Sequence, residues 1–165
     1  MKLREHLVIG GITAVFLYFR WDLWRALLFF TAAVLIDADH YWDYLWRSRF
    51  IDWSPARMFR YYNLFNDNSS DKRCLAFSFL HTAEIFLLVY VLARFWNFGF
   101  FITIFWGMLF HLFLDVTDLT YKRKPFLRAY SVIEYWLRKK KLIRQGISPD
   151  AFCREIFEKS KQPIR

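Results

Sequence analysis

The side chains best suited to chemistry here are the four histidines, His6, His40, His81 and His111, and the carboxylates nearest them in the chain, Asp37, Asp39 and Asp115. Each histidine sits at or near the end of a different apolar segment. Asp37-Ala38-Asp39-His40 closes the uncharged run from Ala26 to Ile36. Two carboxylates and an imidazole in that setting need something to offset their desolvation, and a metal ion would do so. His111 and Asp115 are four residues apart and Asp118 lies three beyond, so on a helix all three project from one side. His81 and Glu84, three apart, share a helix face in the same way, which places Glu84 to orient His81 or to accept a proton. Asp43, just beyond the DxDH run, is the other candidate proton acceptor.

His6, Asp37, Asp39, His40, His81, His111 and Asp115 make seven candidate donors, more than one tetrahedral site needs and a reasonable set for two ions sharing a carboxylate. Mixed imidazole and carboxylate favours zinc, with manganese or iron next, over magnesium, which prefers oxygen and keeps its waters. The expected chemistry is attack by a metal-activated water on a phosphoester, ester or amide. Neither a GxSxG elbow nor a GxxxxGK loop occurs, so covalent serine catalysis and nucleotide hydrolysis are not expected. Taken singly, the residues also have plainer readings: His6 and His40 as interfacial histidines, Asp37 and Asp39 as helix caps, Asp118 as a solvated carboxylate.

The elements that must position these groups are apolar. Of 165 residues 56% are hydrophobic and 22% aromatic, well above an ordinary soluble chain. Leu7–Phe19 and Ala26–Ile36 carry no charge, Leu75–Ala93 only Glu84 beside His81 and the terminal Arg94 just outside it, and Phe98–Leu114 only His111. We read four transmembrane helices, an all-α polytopic bundle with further amphipathic helices in the interface. The first segment lacks a small-x-small cleavage site and leads directly into a second helix, so it is expected to stay in place. Gly10-Gly11 is expected to permit close helix contact. Arg20, Arg25 and Arg94 fall in the two short turns, and the other 21 of the 24 Lys and Arg in the termini and middle loop. The positive-inside rule then puts both termini in the cytoplasm, with the protein in the plasma or inner membrane. Cys74 and Cys153, with no CxxC spacing, are expected to be free thiols.

A short helix is expected from Pro55 after Ser54 as cap, and a loop over Asn66–Asp71. Helix three is expected to start near Lys72 to Cys74 and to reach His81 after two turns. The division is a four-helix membrane domain over 1–120 and a basic C-terminal region over 121–165. In that region Phe126–Ile143 interleaves Trp136, Leu137 and Ile143 with Arg138 and Lys139 to Lys141, as suits a helix on anionic lipid headgroups rather than on nucleic acid. Gly146 is expected to end it, and Ser148-Pro149 to open a last short helix.

The order His, DxDH, His, HxxxD across four hydrophobic helices resembles the membrane-bound metal-dependent hydrolase family typified by the YdjM protein. The matching residues are His6; Asp37, Asp39 and His40; His81; and His111 and Asp115. Where that family has an HRGxTH-like stretch, this chain reads Ala76-Phe77-Ser78-Phe79-Leu80-His81, keeping only the second histidine. The resemblance implies a helical membrane protein with metal-dependent hydrolase activity. The candidate ligands come from helix ends on one face, which places the expected site near headgroup depth at the cytoplasmic interface, with a membrane-bound phosphoester or other ester as the expected substrate. The alternative is a non-catalytic membrane protein whose metal site is a structural clamp, or an adaptor whose basic C-terminal region recruits a partner.

Overall fold

The computed structural model describes residues 3–162. Met1 and Lys2, and Pro163 to Arg165, lie outside the described residues. The protein is mostly helical: α1 (Leu3–Tyr18), α2 (Leu23–Leu35), α3 (Ala38–Arg47), α4 (Pro55–Asp67), α5 (Ala83–Phe95), α6 (Phe98–Tyr121), α7 (Val132–Arg144) and α8 (Pro149–Lys161). One two-residue pairing, β1 (Ala76–Phe77) parallel to β2 (Arg128–Ala129), joins Ala76 to Arg128 and Phe77 to Ala129.

Helix starts follow local chemistry. Asp22 caps α2 by accepting from Arg25 N at 2.9 Å, and Asn97 caps α6 by accepting from Phe100 N at 3.1 Å. Ser54 and Ser148 cap α4 and α8, each followed by proline at the first helical position, where the missing N–H has no partner to lose. Gly146, at a φ of 75°, follows the end of α7 in the left-handed conformation that glycine adopts without strain.

The helices sort into two units. The first is Met1–Ala38 with Phe79–Phe126, and the second Asp39–Ser78 with Leu127–Arg165. The middle segment and the C-terminal region thus fall in one compact unit, and α1, α2, α5 and α6 in the other. In the second unit α4 packs on α8, and Tyr44, Tyr61, Phe65, Phe152, Cys153, Ile156 and Phe157 form one buried cluster. Cys74 and Cys153 are free thiols.

In the first unit α1 packs on α2, and α2 and α5 pack on α6. Among the described residues only α6, at 24 residues, is long and apolar enough to cross a membrane. Helices α1, α2 and α5 have 16, 13 and 13 residues, short of the ~20 that a full crossing takes. Their outward faces are nonetheless apolar and exposed, with Ile12, Val15, Phe16, Leu27 and Leu87 uncovered alongside Trp106 and Phe113 of α6.

The third helix starts later than the apolar run suggests. Residues 76–77 are extended, Phe79–His81 make a 3-10 turn, and α5 opens only at Ala83. Thr82 sits at its N-cap and turns its hydroxyl back to donate to Phe79 O at 2.9 Å. Apolarity marked burial here, but the β-branched Thr82 and the β1–β2 pairing hold the backbone extended before the helix.

The tightest helix crossing is at Gly107, not at Gly10-Gly11. A Cβ on Gly107 would lie 2.5 Å from Phe29 O and 2.9 Å from Ala32 Cβ, whereas one on Gly10 would meet only the Phe30 ring at 3.7 Å. Gly107→Ala should therefore push α6 off α2 and destabilise the protein by ~1–3 kcal/mol, while Gly10→Ala should leave it unchanged. Thermal unfolding in detergent checks this, and equal midpoints for the two variants would contradict it.

Candidate metal centre

Four side chains of the first unit meet in its interior: Asp37, His81, His111 and Asp115, whose donor atoms all lie within 4.8 Å of one another. They arrive from three pieces of local structure. Asp37 stands in the turn after α2, where Asp37 N bonds back to Val34 O at 3.3 Å instead of continuing the helix. His81 ends the 3-10 turn before α5. His111 and Asp115 are one turn apart on α6, as their spacing required.

The histidine pair supplies two Nε2 atoms and the carboxylates one oxygen each. His111 Nε2 lies 3.3 Å from Asp37 Oδ1 and 3.6 Å from Asp115 Oδ2; His81 Nε2 lies 3.6 and 3.8 Å from the same two oxygens. A tetrahedron with ligand distances of ~2.0–2.1 Å has edges of roughly 3.3–3.4 Å. The observed spacings fit donors arranged about a common centre with slight expansion, so the cluster can hold a metal ion.

The tautomer of His111 is set by its other nitrogen. Nδ1 lies 2.7 Å from Ala33 O, and a carbonyl only accepts, so Nδ1 carries a proton, and in the neutral ring Nε2 presents its lone pair to the cluster. His111 is fully buried and its Nε2 has no hydrogen-bond partner. A buried bare nitrogen costs free energy unless something fills its lone pair, and a cation does so without needing a proton. With neutral imidazoles the four donors carry a net −2, which one divalent ion balances.

His6 stands behind the group. Its Nε2 donates to Asp115 Oδ1 at 3.1 Å, leaving Oδ2 turned to the histidines, and its ring stacks on His111 with centroids 3.9 Å apart and planes 15° off parallel. His6 thus orients a carboxylate and braces an imidazole.

Asp39, His40, Asp43, Glu84 and Asp118 are not among those four donors. Asp39 and His40 belong to the second unit, because the chain restarts as α3 at Ala38 rather than fraying. There His40 Nδ1 lies 3.7 Å from Asp39 Oδ1 and its ring packs on Tyr62, centroids 4.6 Å apart. Asp43, in the same unit, accepts from Arg47 Nε at 2.7 Å and from the Tyr62 hydroxyl at 2.9 Å. Desolvation and then the Asp43 charge hold that hydroxyl well above its ordinary pKa, so it remains a donor. Glu84 is in the first turn of α5, half-buried, but separated from His81 by the cap Thr82, so the two do not share one helix. Asp118 accepts from Lys122 at 2.6 Å as an ordinary i,i+4 pair.

Sequence reasoning missed Gly107 and the Ala33 carbonyl. Gly107 lies one turn before His111, and its lack of a side chain lets α6 approach α2 closely enough for His111 to reach that carbonyl. The signal was the small-residue pairing of Gly107 with Ala32 and Ala33. No family model matches the chain, and no curated protein or solved structure is similar to it.

Metal analysis of the purified protein should find His111→Ala without the ion, His6→Ala holding it ~10–100-fold more weakly, and Asp118→Ala like wild type. Equal metal content in all three variants would contradict the ligand assignment.

Proposed function

We propose that this chain is a membrane-embedded metal-dependent hydrolase of the YdjM-like kind, cleaving a phosphoester or related ester in a membrane-bound substrate. The observation that carries this reading is the bare His111 Nε2, fully buried and faced by two carboxylates and a second imidazole inside an apolar helical unit. Zinc suits the donors best, with manganese or iron next. A divalent ion held there supplies an activated water and Lewis acidity toward a phosphoryl or carbonyl oxygen.

The chain's own residues do the rest. His111 and Asp115 present their donors from the rigid helix α6, and the Ala33 carbonyl and His6 fix their orientation. Asp37, with 18% of its side chain exposed against 0% for both histidines and 5% for Asp115, marks the side from which water and substrate enter. Glu84, in the first turn of α5 of the same unit, and Asp43, which accepts from Arg47 and Tyr62 in the second unit, are the two side chains we assign as candidate proton acceptors.

The exposed apolar surface supports the membrane setting. Helix α6 spans ~36 Å at 1.5 Å per residue and α2 and α5 ~20 Å each, so we read the shorter helices as packed around α6 within a locally thinned bilayer. We place both termini on the cytoplasmic side, from the 21 basic residues outside the two short turns.

A second reading is a structural clamp, favoured by the same four donors, since four protein ligands fill a tetrahedral shell. Turnover separates the two. Zinc- or manganese-loaded protein, screened on phospholipids and isoprenoid phosphates, should hydrolyse at least one. Glu84→Gln should keep the metal and lose ~10²–10⁴-fold in rate. Stoichiometric metal with no turnover above the His111→Ala background would replace the enzyme with the clamp.

A further inference from the structure

Helix α7 has two faces that do different things. On the inner face Tyr135 packs on Phe77, ring centroids 4.4 Å apart. Arg138 donates to Glu134 and to Arg128 O, and Lys139 to Asp150. These contacts seat the helix in the second unit, and none of its residues is fully buried.

The outer face is apolar and uncovered. Ile133 is 67% exposed, Trp136 57%, Leu137 54% and Ile143 54%, with Val132 beside them. At 100° per residue these side chains fall within an arc of roughly 140°. Lys140 and Arg144 lie within the same arc and Lys141 about 40° beyond it; none of the three makes an ion pair among the described residues. Lys140 Nζ sits 4.8 Å from the centroid of the Trp136 ring. A continuous apolar stripe carrying unpaired cations and a tryptophan is costly in water and favourable at one kind of boundary, where apolar chains meet negative charge.

We propose that the outer face of α7 docks on an anionic lipid surface, Ile133, Trp136, Leu137 and Ile143 entering the headgroup boundary while Lys140, Lys141 and Arg144 pair with headgroup phosphates. Charge complementarity and the four large apolar side chains interleaved with the cations select this occupant. A nucleic acid would meet large apolar side chains interleaved with the cations where its phosphates must lie. The proposal stands independently of the metal centre.

The full chain carrying Leu137→Cys on a Cys74→Ser background, labelled with an environment-sensitive fluorophore and reconstituted into vesicles, tests it. With about a third phosphatidylglycerol in phosphatidylcholine, near a natural anionic leaflet, the label should shift blue and be quenched by brominated acyl chains. A label at Glu158→Cys on α8 should stay in water. Adding Lys140→Gln and Lys141→Gln should lower the ratio of docked to undocked label roughly twenty-fold, and high salt should act in the same direction. A label at 137 that stays in water in both lipids overturns the proposal. So does equal quenching in pure phosphatidylcholine, an equal shift at 158, or protection by an RNA oligonucleotide in place of the vesicle.

Discussion

The bond from His111 Nδ1 to the Ala33 carbonyl ties the site to the fold. It exists because α2 stops short. With Asp37 N bonding back to Val34 O, the Ala33 carbonyl is spared its i+4 partner and can accept from another helix. It also needs the helix backbones close, and Gly107 one turn before His111 provides that closeness. One glycine and one interrupted helix therefore decide which imidazole nitrogen faces the cluster. They also leave Asp37, in the turn that follows, free of the helix and beside it.

The electrostatics follow from that placement. Two carboxylates and two imidazoles inside an apolar unit are a poor choice for stability, since a buried ion that is not compensated costs several kcal/mol. The arrangement makes physical sense when a divalent cation balances the net −2, and the 3.3–3.8 Å donor spacings are those that a small cation leaves between its ligands. His6 adds a further constraint: by taking Asp115 Oδ1 it commits Oδ2 to the cluster. The ligand shell is thus built from oriented parts, which limits the reorganisation needed when an ion enters.

Much of this was legible in the residue order. Ser54-Pro55 and Ser148-Pro149 announced two helices because cap and proline act locally, and the i,i+4 spacing of His111 and Asp115 placed both on one helix side. What was not legible depends on partners far along the chain. Apolar composition made residues 72–82 look like the start of a helix, yet pairing with residues 128–129 keeps 76–77 extended, and His81 enters from a 3-10 turn. Asp37, Asp39 and His40 read as one donor set, but a helix restarts at Ala38, and only Asp37 belongs to the four-donor group. Gly10-Gly11 and Gly107 look alike as sequence, and only the facing residues distinguish an ordinary contact with Phe30 from a close backbone approach to Phe29 and Ala33.

X-ray absorption at the zinc edge, on full-length protein loaded with one equivalent of zinc, tests the central claim most directly. The structure requires nitrogen and oxygen ligands at ~2.0–2.2 Å, multiple-scattering features of two imidazoles, and no sulfur. His111→Gln, if it retains any zinc, should show one imidazole fewer. A sulfur shell from Cys74 or Cys153, or a spectrum of hydrated zinc without imidazole scattering, would contradict the account.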